Sequence, residues 1–199
     1  MRRIVAFDML SADGYFTSAD GRLDWTVQDE EVDRENAGNI GHSDAILFGR
    51  KTYGMFESFW PGALSDSGKS PDPHQAGRQS TTMHDMAVFI NAATKIVFSR
   101  TLKKVTWKNS RIIKEFDPKA VEALKHEDGK DIMIFGSGEI VSKLTEHQLI
   151  DEYHFLINPV FLGAGRPLIT GVSHRAPLKL DESKSYRSGI VRQRYSLRK

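Results

Sequence analysis

A chain of 199 residues is long enough to bury one hydrophobic core and short for two, so we expect a single domain over residues 1–199. Its 39% hydrophobic and 27% charged residues exclude intrinsic disorder, and a net charge of only +2 gives no electrostatic reason to expect a nucleic-acid partner. The lack of cysteine excludes disulfides, thiol catalysis and cysteine-based metal sites, and the seven histidines form no HxxxH pair, so we predict no metal.

The first predicted element is a buried strand over Ile4–Met9, followed by a turn in which Asp13-Gly14 favours tight reversal of the chain. Asp8 interrupts this apolar stretch too early for a secretory signal. No apolar run of about 18 residues, the length of a membrane span, occurs in the chain. The sequence therefore predicts a cytoplasmic protein without a membrane partner.

A helix, a strand and a second helix are predicted next. The first helix covers Asp29–Ile40 and the strand covers Ala45–Phe48. The second helix ends at Pro61-Gly62 and carries aromatic side chains at the i, i+3 and i+7 positions of one face, namely Tyr53, Phe56 and Trp60. Residues 62–82 lack periodicity and are rich in serine, glycine, proline and aspartate. We expect a long surface loop there, either a tolerated insertion or a lid over a ligand.

Strands and helices continue to alternate in the second half of the chain. A strand over Lys95–Ser99 is followed by a helix that Asp117-Pro118 opens and Gly129 ends. A strand over Ile132–Phe135 and a helix over 139–147 come next, and then strands and turns: Tyr153–Val160, Leu178–Leu180 and Gly189–Leu197. We therefore predict an α/β fold with a mixed, mostly parallel sheet, helices on both faces and antiparallel C-terminal strands.

Two strand-to-helix junctions place glycine at the carboxyl end of a buried strand, in Phe48-Gly49-Arg50-Lys51-Thr52 and in Phe135-Gly136-Ser137-Gly138-Glu139. Unpaired N–H groups and the positive end of the helix dipole attract phosphate at such a junction. Arg50 and Thr52 add donors at the first one. Two junctions indicate a ligand with more than one phosphate. The alternatives are a helix cap with a surface arginine and glycines that ease a tight turn.

A third polar segment, Ser99-Arg100-Thr101, leaves a strand and has lysines after it. Such a segment suits a lone phosphate on a ribose, the feature that separates NADPH from NADH. A polar loop without a ligand would have the same sequence. Val141 stands where a Rossmann fingerprint would place its third glycine, and the glycines come late in the chain, so we do not expect a Rossmann domain.

The order of these pieces resembles the dihydrofolate-reductase-like superfamily. Within it, the chain is most similar to the C-terminal reductase domain of the bacterial bifunctional riboflavin-biosynthesis protein and its stand-alone relatives. The resemblance runs from about Arg3 to Leu197. It rests on motifs that follow one another in the family's order: Ser11-Ala12-Asp13-Gly14, Gly49-Arg50-Lys51-Thr52-Tyr53, Val97-Phe98-Ser99-Arg100-Thr101-Leu102, Ile134-Phe135-Gly136-Ser137-Gly138, Asp151-Glu152-Tyr153, Ile157-Asn158-Pro159-Val160 and Leu162-Gly163-Ala164-Gly165-Arg166-Pro167-Leu168.

The resemblance implies an NADPH cofactor and gives individual positions a role in holding it. The backbone of one residue would lie near the nicotinamide, and two loop residues would close over its ring. The implied positions are Ala6 at the nicotinamide; Asp13 and Gly14 in the closing loop; Gly49, Arg50 and Thr52 at a cofactor phosphate; Ser99 and Arg100 at the adenosine 2′-phosphate; and Gly136, Ser137, Gly138, Glu139 and Ile140 at the pyrophosphate.

The resemblance also suggests a catalytic position on the first helix. In dihydrofolate reductases a carboxylate on that helix holds the pterin and helps to protonate it, and here five acids crowd it: Asp29, Glu30, Glu31, Asp33 and Glu35. Asp33 is the equivalent we expect, because its spacing before Gly49 is similar to that of the family. The alternative is a solvated acidic face. We expect no counterpart of the bifunctional protein's zinc deaminase half within these 199 residues, given their number and their lack of cysteine.

The expected function is transfer of a hydride from NADPH to a C=N or C=O bond of a pteridine-, pyrimidine- or ribityl-type heterocycle. One alternative is a non-catalytic protein that binds NADPH or another nucleotide. Another is an authentic dihydrofolate reductase, which the C-terminal motifs favour less than the riboflavin branch. Relatives in that branch are often dimers, so the resemblance also implies a homodimer.

Overall fold

The computed structural model describes residues 1–64 and 81–198. Ten strands and five helices lie within these ranges. In chain order they are β1 (Ile4–Ser11), β2 (Tyr15–Ser18), α1 (Glu30–Ile40), β3 (Ser43–Gly49), α2 (Arg50–Phe59), α3 (Thr81–Ala92), β4 (Thr94–Phe98), β5 (Ser110–Ile113), α4 (Pro118–His126), β6 (Asp131–Phe135), α5 (Gly138–Glu146), β7 (Glu152–Asn158), β8 (Gly165–Pro167), β9 (Leu178–Ser185) and β10 (Val191–Leu197).

Eight of the strands form one sheet, in the order β5-β4-β3-β6-β1-β7-β10-β9. The six strands from β5 to β7 are parallel, and β10 pairs antiparallel with both β7 and β9. The short strands β2 and β8 pair with each other in a separate antiparallel sheet. The predicted mixed, mostly parallel sheet with antiparallel C-terminal strands is confirmed.

Successive residues of a strand point to opposite faces of the sheet. Because the strands carry apolar residues on both faces, helices cover both of them. On one face, Ile4 of β1 lies in a core cluster with Leu144 of α5 and residues of α4. On the other, Val5 packs with Ile40 of α1, and Phe48 of β3 packs with α2 and α3. Each such fully buried aliphatic or aromatic side chain stabilises the fold by about 1.5–3 kcal/mol.

The strand order places the carboxyl ends of β3, β6 and β1 side by side. β6 follows β3 in the chain but lies between β3 and β1, with Leu47 paired to Ile134 and Phe7 paired to Phe135. Gly49 therefore ends β3 directly beside the end of β6. Open α/β sheets bind ligands at such a reversal of strand order, in the crevice outside the carboxyl ends.

Several elements differ from the sequence prediction. Helix α3 was missed because Met86, Ala87, Val88, Phe89 and Ile90 are apolar at consecutive positions and give no one-sided stripe. The strands β2, β5 and β8 were missed because each is only three or four residues long. The loop predicted over 62–82 extends too far, since α3 begins at Thr81. Residues 65–80, which carry the proposed lid, lie outside the described residues.

The buried ammonium of Lys95 holds together the elements around β4, the strand that precedes Ser99. Lys95 of β4 is fully buried, and its ammonium donates to the carbonyls of Asn91, Ala93 and Lys108 at 2.8, 2.9 and 3.1 Å. The same ammonium lies 4.5 Å from the centre of the Trp107 ring. Burial lowers the pKa of Lys95 to about 8. The side chain thus ties the end of α3 and the segment before β5 to β4.

Replacing Lys95 with methionine keeps an unbranched chain in the core but removes all three donated hydrogen bonds. Because buried carbonyls lose a partner, we expect Lys95→Met to lower the free energy of unfolding by about 1–3 kcal/mol. Urea unfolding measures this change. Lys119→Met, at an exposed position of α4, is the control and should change stability little. Equal stability of the two variants would contradict the role given to Lys95.

Candidate active site

A large cleft opens at the carboxyl edge of the sheet. It has a volume of about 1530 Å³, and its walls come from the ends of β1, β3 and β6, from α1, α2, α3 and α5, and from the β2–β8 pair. Sites for drug-sized ligands typically measure about 300–1,000 Å³. The cleft therefore has room for an extended ligand together with a second molecule.

The first junction lies at one end of this cleft. Gly49 is the N-cap of α2, with extended backbone and no side-chain cap, and Arg50 is the first helical residue. The first-turn N–H groups of a helix have no partner within the helix. They and the helix dipole make this end of α2 attractive to an anion.

The second junction is bent by two consecutive left-handed residues, Gly136 with φ 59° and Ser137 with φ 68°. Ser137 is the N-cap of α5 but makes no hydrogen bond to the first turn of its own helix. Its hydroxyl oxygen instead accepts a 2.7 Å hydrogen bond from the N–H of Gly49 and lies 3.3 Å from the Thr52 hydroxyl. One side chain thus joins the N-termini of α2 and α5 and leaves neither helix with a side-chain cap.

Close packing explains why glycine stands at these junctions. A Cβ at Gly49 would overlap the Ser137 hydroxyl, and a Cβ at Gly138 would lie 2.8 Å from the carbonyl oxygen of Leu168. Gly136 combines positive φ with a Phe16 ring atom 2.9 Å from where its Cβ would be. A side chain at Gly49 or Gly136 would therefore displace the Ser137 hydroxyl or the Phe16 ring, and one at Gly138 would push against the backbone of Leu168.

Positive charge from three elements converges on this end of the cleft. Arg50 and Lys51 of α2, Arg100 after β4 and Lys143 of α5 all line it. Glu139, in the first turn of α5, is held by Lys143 at 2.8 Å. That hydrogen bond is the main cause of a lowered pKa for Glu139, to which Arg100 and Lys51 also contribute through their charge. Arginine and lysine side chains therefore surround both helix N-termini.

Ser99 shapes the loop that presents Arg100. Its side chain is buried, and its hydroxyl oxygen accepts hydrogen bonds from the backbone N–H groups of Thr101 at 3.3 Å and Leu102 at 2.9 Å. The hydroxyl hydrogen is left to donate. Arg100 itself is exposed at the lip of the cleft. This geometry suits an arginine that closes on an anion at the cleft entrance.

The other end of the cleft is apolar and aromatic. Phe56 and Phe135 stack with their ring centres 5.9 Å apart, and Phe7 meets Phe135 edge-on at 6.0 Å. Asp33 and Asn36 of α1 also line this cleft. A flat ring with polar edges matches such a surface better than a second phosphate would.

Most of the residues singled out in the sequence line the cleft, and three do not. Ala6 is fully buried within the sheet. The carboxylate of Asp13 accepts hydrogen bonds from the N–H groups of Leu162 at 3.1 Å and Gly163 at 2.8 Å, and from Ser11, whose hydroxyl is the main cause of its lowered pKa. Gly14 follows it with positive φ. The residues that do line the cleft are Asp33, Gly49, Arg50, Thr52, Ser99, Arg100, Gly136, Ser137, Gly138, Glu139 and Ile140.

Sequence reasoning missed Asp8 as a site residue. Asp8 lines the cleft, is only 2% exposed, and neither carboxyl oxygen has a hydrogen-bond partner. Burial raises its pKa to about 8. The nearby backbone of Gly136 acts in the opposite direction, although it does not reach normal hydrogen-bond geometry. The one signal in the sequence is a single acid inside an otherwise apolar strand.

Two more buried polar groups in the cleft lack partners, the hydroxyl of Thr17 and the indole N–H of Trp60. Within residues 1–64 and 81–198, all buried side-chain polar atoms without a partner belong to these two residues and Asp8. Native proteins leave few such groups unpaired. Their collection in one cleft indicates that its walls are built to bind a polar ligand.

In the described part of the chain, no helix is long and apolar enough to cross a bilayer. Nor do any three histidine or carboxylate side chains there come together in a way that could hold a metal ion.

The fold and the cleft define an α/β protein with a large cleft where the strand order of its mixed sheet reverses. Residues 2–192 match the family model of the RibD C-terminal domain. The chain belongs to that family, and the resemblance predicted from its motifs is confirmed.

Individual relatives extend this finding. The chain is 29% identical over 194 residues to the uncharacterized protein YyaP of Bacillus subtilis, covering 96% of this chain and 92% of that protein. A solved structure from Shewanella sp. PV-4, provisionally assigned to riboflavin biosynthesis, has a TM-score of 0.74 at 19% identity and 99% coverage of both chains. A Thermotoga maritima diaminohydroxyphosphoribosylaminopyrimidine deaminase/5-amino-6-(5-phosphoribosylamino)uracil reductase has a TM-score of 0.64 at 13% identity, covering 99% of this chain and 57% of that one. At these identities the two solved structures support the fold alone.

The contact between the two junctions can be tested with a pair of glycine variants. Gly49→Ala would push the Ser137 hydroxyl aside, and we expect it to lower the free energy of unfolding by about 1–3 kcal/mol. Gly54→Ala, in the interior of α2 with open space around it, should be neutral or stabilising by up to about 1 kcal/mol. Urea unfolding separates the two. Similar effects of both substitutions would contradict the tight junction.

Proposed function

We propose that this protein is an NADPH-dependent reductase that reduces a C=N or C=O bond of a pteridine-, pyrimidine- or ribityl-type heterocycle, in the manner of the riboflavin-biosynthesis reductases. Membership of the RibD C-terminal domain family supports this proposal. So does the size of the cleft, because a dinucleotide and a heterocycle must fit into it side by side.

One geometric feature supports the cofactor most directly. The N-termini of α2 and α5 are joined by the hydrogen bond from Gly49 to Ser137, so two anion sites lie side by side at a fixed spacing. Neither helix has a side-chain cap that an anion would have to displace. Two linked phosphates, as in a dinucleotide, match this arrangement better than a single phosphate does.

Side chains at the basic end of the cleft could bind the pyrophosphate and the 2′-phosphate of the cofactor. Arg50 and Thr52 would bind the pyrophosphate together with the first turn of α5, and Ser99 and Arg100 would bind the 2′-phosphate that distinguishes NADPH. When bound, the dinucleotide supplies the hydride. The protein's part is to hold the ring against the substrate and to exclude water, for which the stacked rings of Phe56 and Phe135 are suited.

Asp33 remains our proposal for a residue that orients the substrate. It lies in the first turn of α1, is partly exposed, and lines the cleft. A carboxylate there can accept hydrogen bonds from ring N–H or amino groups of a heterocycle. Such contacts fix which face of the ring meets the hydride.

A homodimer and a cytoplasmic location remain predictions. Strand β9 lies at the edge of the large sheet and exposes Leu178 and Leu180, at 37% and 51%. Both leucines lie on one face of the strand, opposite Leu197 and Tyr195 of β10. Exposed apolar residues on an edge strand give a second copy of the chain a surface to cover.

The phosphate assignment is tested by truncating Arg50. Removing a charge-assisted contact costs about 1.5–3 kcal/mol, so we expect Arg50→Ala to weaken NADPH binding by roughly ten- to a hundred-fold. Titration followed by the fluorescence of reduced nicotinamide measures this affinity. Arg187→Ala, at an exposed arginine outside the cleft, should bind NADPH like the parent protein. Unchanged binding by Arg50→Ala would contradict the proposed site.

Turnover distinguishes a reductase from a protein that only binds the nucleotide. The test follows NADPH oxidation with 5-amino-6-(5-phosphoribosylamino)uracil and, separately, with dihydrofolate as the acceptor. Oxidation with the uracil supports the proposed function, and faster oxidation with dihydrofolate favours an authentic dihydrofolate reductase. NADPH binding without oxidation of either mixture favours the non-catalytic alternative.

A further inference from the structure

Asp8 differs from the other acids in the described ranges because it is buried in the cleft wall without a partner. In β1 its side chain points to the same side of the sheet as Ala6, toward α5 and the β2–β8 pair. It is paired in register with Phe155 of β7, next to the end of β6. A carboxyl group in such a position is costly unless it is neutral or meets a ligand.

The charged groups on the surrounding elements do not set the protonation of Asp8. Neither β2 nor the end of β6 carries a charge there. On β7, Glu152 and His154 are paired with Val5 and Phe7, so their side chains point to the face of the sheet opposite that of Asp8. Charged residues of the other neighbouring elements that line the cleft are Asp33, Glu139, Lys143, Glu146 and Arg166. None contributes to the pKa, which burial alone raises to about 8. The carboxyl group is therefore mainly protonated at neutral pH and can donate a proton.

Reduction of a C=N or C=O bond requires such a donor. The hydride adds to carbon with two electrons, and the nitrogen or oxygen takes up one proton as its π bond to carbon breaks. Bulk water is a poor source of this proton, because two ligands that fill the cleft would keep water out. A carboxylic acid with a pKa near the working pH is well suited to this task.

We propose that Asp8 is the catalytic acid of this protein and donates the proton that accompanies the hydride. This inference rests on the proposed function. In the step, the O–H bond of Asp8 breaks and an N–H or O–H bond forms on the substrate. The nicotinamide is oxidised, and the Asp8 carboxylate regains its proton from water when the cleft opens. Asp33, on the opposite face of the sheet, orients the ring.

Asp8→Asn tests this assignment because asparagine has nearly the same shape but cannot donate a proton at neutral pH. We expect NADPH affinity within about twofold of the parent, and a kcat lowered by about a hundred-fold, as typical for loss of a general acid. The parent kcat should fall above pH 8, where Asp8 ionises, and Asp8→Asn should lose this decline. Asp33→Asn is the matched control, expected to raise KM and to keep the decline.

A stability measurement reports on Asp8 without any ligand. Its pKa is about 8 in the folded protein against 3.8 in its ordinary state, so the folded state holds the extra proton and loses stability as the pH rises. Between about pH 5 and 7 the unfolding equilibrium constant of the parent, relative to Asp8→Asn, should increase about tenfold per pH unit. A pH-independent ratio would show that Asp8 is ionised when folded and would overturn the inference.

The outcomes separate the inference from the proposed function. If the parent fails to bind NADPH or to oxidise it with either acceptor, the proposed function fails and the inference fails with it. If the parent turns over and Asp8→Asn retains its kcat and the decline at high pH, only the inference is overturned. Loss of that decline in Asp33→Asn instead would assign the proton to Asp33.

Discussion

The hydrogen bond from the Gly49 N–H to the Ser137 hydroxyl is the constraint on which the rest of the site depends. It forms only because β3 and β6 are adjacent and parallel, and because Gly49 has no side chain to displace Ser137. Since Ser137 reaches across to α2, its own helix has no side-chain cap. Both helix N-termini are thereby held side by side, and basic residues from three elements surround them.

The cleft contains two kinds of ionisable group, which differ in how far they are buried. At one end, arginines and lysines remain close to solvent and are arranged for an anionic ligand. Beside the second junction, burial favours the neutral form of Asp8, so a group that is usually an acceptor can donate a proton. Under the proposed function, a bound dinucleotide would extend from the basic end of the cleft, which would hold its phosphates, toward the aromatic end, which would hold its ring.

Local sequence was sufficient for the parts of this site that depend on neighbouring residues. Gly49 and the Gly136–Ile140 segment could be found because a strand, a glycine and a helix start follow one another in the chain. The contact between Ser137 and Gly49 could not, because it spans 88 positions and depends on strand order. Asp8 was missed for the same reason, since its burial depends on tertiary packing. The resemblance placed Asp13 in the loop that closes over the cofactor ring; in the structure its carboxylate binds the 162–163 turn, a contact that the local sequence does not show.

Calorimetric titration of the purified protein with NADPH and, in parallel, with NADH tests the central claim most directly. We expect micromolar or tighter binding of NADPH and clearly weaker binding of NADH, because the proposed function assigns Arg100 and Ser99 to the 2′-phosphate. Absence of heat with either dinucleotide would contradict the account, and the cofactor would then have no place in this cleft.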